Sequence, residues 1–136
     1  MIHATIDVIY APIYPPRTVQ FFKDFHSVDS ITERTKNGHV LVVEQDGSIV
    51  GTAASLKNRI FGMFVLPEFQ GRGYGRDLMD ALETQIKADG HTEVVLSMSL
   101  PSEGFYRSRS YIDFEKYSRD VGDGEMLVFS DAKKRL

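Results

Sequence analysis

From Ile2 to Tyr10 the apolar residues Ile2, Ala4, Ile6, Val8 and Tyr10 alternate with more polar neighbours. A period of two predicts a strand with one buried face. Pro12, Pro15 and Pro16 close that run. Behind Pro16, suited to a first helical position, Val19, Phe22 and His26 recur at helical spacing with Phe21 and Phe25 beside them, so a short aromatic helix is expected. Ser30-Ile31-Thr32-Glu33 reads as a capping box, with Ser30 serving the orphan amides and Glu33 reaching back, and Asn37-Gly38 supplies a left-handed stop. Val40 to Glu44 and Ile49 to Ser55 flank Gln45-Asp46-Gly47-Ser48, where Asp-Gly provides the positive φ values of a tight hairpin. Ile60 to Leu66 makes another strand, ended by Pro67, and Gly62 inside it marks a bulge.

Further along, Leu78, Leu82 and Ile86 repeat every four residues with Met79 and Ala81 beside them, and Gly90 stands where this helix ends. Glu93 to Met98 reads as a buried strand, and Pro101 opens a short helix carrying Phe105-Tyr106. Ile112 to Arg119 pairs across Val121-Gly122-Asp123-Gly124 with Met126 to Phe129. The tail from Asp131 to Leu136, with Lys133-Lys134-Arg135, is expected to fray. The order β-α-α-β-β-β-α-β-α-β-β predicts an α/β (α+β) fold with a mixed central sheet, and nothing in residues 1–136 reads as a linker, repeat or low-complexity segment.

Composition narrows the chemistry. A chain of 136 residues with 42% hydrophobic and 26% charged side chains suits one domain with one active site. No apolar run approaches the roughly 20 residues of a membrane span, and the start of the chain lacks the basic and apolar regions of a signal peptide. A cytoplasmic monomer or homodimer without a membrane partner is expected. Zero cysteines exclude disulfides, thiolate metal sites and a cysteine nucleophile, and no metal is expected. With 16 basic against 19 acidic side chains, the electrostatic footprint of a nucleic-acid binder is missing.

Local positive charge is concentrated instead at Gln70-Gly71-Arg72-Gly73-Tyr74-Gly75-Arg76, between a strand and a helix. A helix N-terminus presents unpaired amides and about half a positive charge, a ready site for phosphate. Glycine at 71, 73 and 75 lets the backbone curl around a bulky anion, and Arg72 and Arg76 add cationic side chains. A diphosphate is the expected ligand. A Rossmann fingerprint would need a glycine where Arg76 stands, and a Walker loop would need Lys-Ser or Lys-Thr after Gly75 where the chain has Arg76-Asp77. Hydride transfer and nucleotide hydrolysis both lose support.

Val65-Leu66-Pro67-Glu68-Phe69-Gln70-Gly71-Arg72-Gly73-Tyr74-Gly75, a Val-x-Pro strand end followed by Gln-x-x-Gly-x-Gly, resembles the signature of the GNAT superfamily of N-acetyltransferases. Phe105-Tyr106-Arg107-Ser108-Arg109-Ser110-Tyr111 is similar to a second family element, an aromatic-Tyr pair followed by Gly-Phe, with Ser110-Tyr111 in place of Gly-Phe. The resemblance, which covers nearly the whole chain, implies acetyl-coenzyme A as cosubstrate. By position it implies that the backbone of Met63, Phe64 and Val65 holds the pantetheine and acetyl group. It likewise implies that Gln70, Gly71, Arg72, Gly73, Gly75 and Arg76 hold the pyrophosphate. Many members place an asparagine where Ser99 stands, which makes Ser99 a further candidate contact to the coenzyme. Arg107 and Arg109 are candidates for its 3′-phosphate.

Acyl transfer to an amine expels a thiolate whose conjugate acid, like cysteine, has a pKa of about 8.5. By the resemblance Tyr106 faces the coenzyme sulfur. A phenol of pKa about 10 is protonated at neutral pH, so Tyr106 is the expected general acid. The attacking group is harder to account for, because a lysine-like ammonium of pKa about 10.4 is free base in less than one part in a thousand at pH 7. Some relatives carry a glutamate on the strand before the glycine turn, and here none stands from Ser48 through Pro67. Glu44, Glu68, Glu93, His39 and His26 are the remaining candidate bases. The acceptor is expected beside the first two helices and first hairpin, where Tyr10, Tyr14, Phe21, Phe22 and Phe25 cluster. The expected reaction moves an acetyl group to a primary amine, on a small molecule or a protein or peptide, by direct attack. The alternative is a non-catalytic acyl-coenzyme A-binding module.

Overall fold

The computed structural model describes residues 1–136. Three helices come first, α1 (Ile2–Ile9), α2 (Pro16–Phe25) and α3 (Val28–Asn37). A meander β1 (His39–Gln45), β2 (Ser48–Leu56) and β3 (Arg59–Val65) leads through a 3₁₀ turn at Pro67–Phe69 into α4 (Tyr74–Ala88). Then follow β4 (Glu93–Met98), a second 3₁₀ turn at Leu100–Ser102, α5 (Glu103–Ser108), and the hairpin of β5 (Ile112–Gly122) and β6 (Glu125–Arg135). The strands form one mixed sheet in the order β1-β2-β3-β4-β6-β5. The mixed α+β sheet, the Asp46-Gly47 turn with φ of 51° and 79°, and the start of α2 at Pro16 agree with the sequence pattern.

The first element does not. Ile2–Ile9 is a helix, because Ile2, Thr5, Ile6 and Ile9 also recur at helical spacing and an eight-residue run satisfies both periods. Packing decides between them: Thr5 and Ile6 are buried as α1 lies against β3 and the Pro67–Phe69 turn, while Val8 is left 58% exposed. Two further expectations shift. The cap of α3 is Ser27, whose Oγ accepts from the Ser30 amide at 3.2 Å, so the helix starts earlier than the Ser30-Glu33 box predicts. Gly38 ends α3 in extended geometry (φ −138°), and glycine is required there because a Cβ would overlap the Ser55 carbonyl oxygen.

The tail does not fray either. Residues Ser130 to Arg135 pair antiparallel with the whole of β4, which places β6 inside the sheet between β4 and β5. Its charges have partners that hydropathy along the chain does not reveal. Lys134 reaches Glu83 of α4 at 2.7 Å, and buried Asp131 accepts from Arg59 at 3.1 Å. Leu78, Met79, Leu82 and Ile86 of α4 form the core with Ala53, Ile60, Val94, Leu96, Met98 and Ala132 of the sheet. Burying each such Leu or Ile contributes roughly 1.5–3 kcal/mol, which fixes α4, and so the turn before it, against β3.

Candidate active site

β3 and β4 are parallel neighbours, but their pairing is confined to Arg59 and Val95, with the Val95 amide donating to the Asn58 carbonyl at 2.9 Å. Beyond that point the strands diverge. A bulge falls on the same stretch: Thr52 pairs with Phe64 and Ala54 with Phe61, so Gly62 and Met63 together oppose Ala53. Gly62 has φ +63°, as the sequence led one to expect of a bulge. One edge of the Gly62–Val65 backbone therefore faces an opening within the sheet rather than a strand.

That opening has two chambers. The smaller, of about 410 Å³, is walled by Met63, Phe64 and Val65, by the turn from Phe69 to Arg76 except Arg72, and by Phe105 and Tyr106. The larger, of about 620 Å³, is built from α2, α3, β3, β4 and the β5–β6 hairpin. Tyr10, Met63, Phe64, Ser102 and Tyr106 border both.

Each glycine of the turn is present for its own reason. Gly71 and Gly73 have φ of +77° and +88°, which L side chains rarely adopt, and no atom lies within 4 Å of where a Cβ on Gly71 would stand. Gly75 is already helical, and a Cβ there would meet the Phe105 ring at 3.4 Å. The first amide of α4 to find an intrahelical acceptor is that of Asp77, bonded to the Gly73 carbonyl at 3.0 Å, which leaves the amides of Tyr74, Gly75 and Arg76 as orphans at the chamber wall. Gln70 Nε2 donates to the Val65 carbonyl at 2.9 Å and ties the turn to the end of β3. Arg76 lines the chamber, with its guanidinium folded over Gly73. Arg72 does not: it lies over the Phe69 ring at 4.8 Å and donates to the Glu68 carbonyl at 3.3 Å.

Tyr106 sits at the junction, 6% exposed, edge-to-face with Phe105 and Tyr111 at 5.3 and 5.8 Å. Its hydroxyl has no partner in the protein. Burial, and then the neighbouring Tyr10, push the phenol above its ordinary range, so it is protonated at any physiological pH.

A model of the acetyltransferase (GNAT) domain family matches residues 10–123. The chain belongs to the GNAT acetyltransferases. It is accordingly an acyl-coenzyme A-dependent acetyltransferase whose cosubstrate is acetyl-coenzyme A. Its fold is similar to that of a GCN5-related N-acetyltransferase from Rhodopseudomonas palustris, at 23% identity and a TM-score of 0.87 over 99% of this chain and 85% of that one. It is also similar to the PaiA N-acetyltransferase of Thermoplasma acidophilum, solved with coenzyme A (16% identity, TM-score 0.74, 98% and 87% covered). A GNAT acetyltransferase from Elizabethkingia anophelis with acetyl-coenzyme A bound is similar at 14% identity and a TM-score of 0.63, with 82% and 84% covered. No curated protein sequence matches the chain. No helix is long and apolar enough to cross a membrane.

In this GNAT chain several residues expected at the coenzyme lie outside the smaller chamber. Ser99 lines the larger chamber, and its hydroxyl is taken by Tyr10 Oη at 2.9 Å and Ser102 Oγ at 3.0 Å. Arg107 is held by Asp113 and Glu103, and Arg109 by Asp80 and by Glu83, so both arginines of α5 and its cap are tied to carboxylates of the chain itself. Ser110 takes the left-handed conformation (φ +74°) that suits glycine, and Tyr111 is buried, with a hydroxyl that finds no partner. The Ser110-Tyr111 pair thus makes the turn into β5 at some energetic cost.

Of the candidate bases only His26 lines a chamber. Arg34 Nη1, an obligatory donor, bonds its Nδ1 at 2.9 Å, so that nitrogen holds the lone pair and Nε2 carries the proton. Burial, then the positive charge of Arg34, push its pKa down to about 3. The lone pair of His26 is already used, which disqualifies it as a base in this geometry. The larger chamber itself combines Phe21, Phe22, Phe25, Phe61, Phe64 and Phe129 with three arginines, Arg34, Arg59 and Arg119. The aromatic residues of α2 were legible as a cluster. The arginines were not, because they come from three separate elements with no shared spacing.

Proposed function

We propose that the protein is an N-acetyltransferase that moves the acetyl group of acetyl-coenzyme A to a primary amine by direct attack, with the coenzyme in the smaller chamber and the amine in the larger. The observation that carries this is the meeting of the two chambers at Met63, Phe64 and Tyr106, the bulged strand and the unpartnered phenol. The smaller chamber fits the coenzyme: orphan amides at Tyr74, Gly75 and Arg76 and the open space above Gly71 suit a pyrophosphate, with Arg76 for charge. The edge of Met63, Phe64 and Val65 that no neighbouring strand covers suits the amides of an extended pantetheine arm. When bound, the thioester supplies an activated acetyl group and a thiolate leaving group. Gln70 positions the turn through Val65, Ser99 orients Tyr10 at the junction, and Arg72 stays outside the site.

Tyr106 directs its hydroxyl at the departing sulfur. Because its acidity is weaker than that of a thiol of pKa about 8.5, outright transfer is uphill; the phenol keeps its proton and stabilises the departing thiolate by donating a hydrogen bond, while the proton shed by the attacking nitrogen ends on sulfur. Thiol release from acetyl-coenzyme A with a panel of amines tests the reading. Acceptor-dependent release in the wild type is expected, and Tyr106→Phe should lower kcat about 100-fold with coenzyme affinity within a factor of about two. Tight coenzyme binding with no release on any amine would favour a non-catalytic module.

A further inference from the structure

The larger chamber carries a charge pattern that the transfer reaction does not require. Arg34, Arg59 and Arg119 line it, against Glu33 as its one acidic residue. Arg59 is committed to Asp131 at 3.1 Å and Ser97 at 3.2 Å, while Glu33 faces Lys36 at 3.7 Å and Asn37 at 3.2 Å. Arg34 and Arg119 have no carboxylate. Arg34 donates to two neutral acceptors, His26 Nδ1 and the Phe25 carbonyl, each at 2.9 Å, and lies over the Phe61 and Phe25 rings at 4.8 and 5.5 Å. Arg119 stacks over Phe21 at 5.2 Å. A half-buried guanidinium with no counter-ion is a standing electrostatic penalty that a ligand carboxylate relieves, in the forked geometry Arg is built for.

Position strengthens the point. Arg34 Nη1 lies 2.9 Å from where a Cβ on Gly62 would stand, so the cation abuts the bulge one residue from Met63. We propose that the acceptor is an amine that also carries a carboxylate and an apolar or aromatic body, such as a free amino acid of that kind. Arg34 takes the carboxylate and the phenyl rings take the body. This rests on the acetyl-transfer reading above. The amine nitrogen forms its bond to the acetyl carbonyl carbon as the C–S bond breaks, and the proton leaving nitrogen ends on sulfur, giving an N-acetylated acid and free thiol. The same positive chamber disfavours an ammonium over the neutral amine, which lessens the need for a general base, and it repels polycationic acceptors.

Two measurements on the full chain test this. Calorimetry with 3-phenylpropionate, a carboxylate with no amine, should show saturable binding to wild type that weakens about 10- to 100-fold in Arg34→Met. Turnover with acetyl-coenzyme A should then be compared for phenylalanine against phenethylamine, leucine against isopentylamine, and spermidine. The carboxylated member of each pair is expected to have kcat/KM at least about tenfold higher, and the ratio should fall toward one in Arg34→Met and recover partly in Arg34→Lys. Melting temperature and acetyl-coenzyme A affinity, measured on each variant, separate loss of the carboxylate contact from loss of fold. Wild-type preference for phenethylamine or spermidine, an unchanged ratio in Arg34→Met, or no turnover of any carboxylated amine by a chain that binds acetyl-coenzyme A overturns the proposal and leaves the coenzyme site standing. Failure of acetyl-coenzyme A to bind at all overturns both.

Discussion

The two chambers that meet at Tyr106 are built in opposite ways. The smaller takes most of its wall from one contiguous stretch, Met63 to Arg76, where a strand, a turn and a helix N-terminus follow one another in the chain. The larger is assembled from α2, α3, β3, β4 and both strands of the last hairpin, and residues as far apart as Arg34 and Arg119 share it. A site made of backbone amides and glycine conformations depends on local sequence, so it leaves a motif. One made of side chains from many elements can change its ligand by single substitutions and leaves none. A conserved chemistry and a variable acceptor would be served by that division.

The sharpest way to break the contrast is Gly73→Val. With φ of +88° at that position a β-branched residue forces the turn to rearrange, and acetyl-coenzyme A affinity should fall at least about 100-fold by calorimetry, with 3-phenylpropionate binding kept within a factor of about two. Equal loss of both ligands would mean that the chambers are not independent.

On the other side, His26 tests how firmly the larger chamber is held. Its pKa falls from 6.5 to about 3 on folding, so the unfolded chain binds a proton that the folded one refuses. Stability is therefore full above pH 6.5 and is lost as the pH drops toward about 3. Between pH 6.5 and 5 the loss from this group is about 2 kcal/mol. Urea titrations should show that decline in the wild type and a shallower one in His26→Gln, whose amide oxygen still accepts from Arg34. A parallel decline in both would remove His26 as the cause. The smallest effect is expected behind the junction, at Ser110. Relief of its left-handed conformation in Ser110→Gly should raise stability by about 1 kcal/mol in thermal or urea melts without changing either ligand's affinity. A destabilised Ser110→Gly would show that the serine side chain contributes more than its backbone strain removes.

What could be read from the chain follows the same line. The strand-turn-helix around Gly71 and Gly73, the hairpin at Asp46-Gly47, the bulge at Gly62 and the place of Tyr106 are local: each depends on backbone conformations or spacings a few residues long. The errors have the opposite character. Ile2 to Ile9 satisfies both a two-residue and a helical period, and contact with β3 and the Pro67–Phe69 turn selected the helix. Residues Asp131 to Leu136 read as a fraying tail because Glu83 and Arg59, the partners of Lys134 and Asp131, lie far away in sequence. Ser30 reads as a cap from the spacing of its own box, whereas in the structure its amide is taken by Ser27 Oγ one turn earlier.

The sequence alone determined the mixed α+β fold, the family and the glycine turn between β3 and α4, since glycine conformations and helix N-termini act over a few residues. Only the tertiary structure decided that Arg72 turns away while Arg76 faces in, that Ser99 serves Tyr10, and that His26 has no free lone pair. It alone brought Arg34 to the bulge, because side-chain direction and charge compensation are properties of neighbours in space, which the order of residues along the chain does not specify.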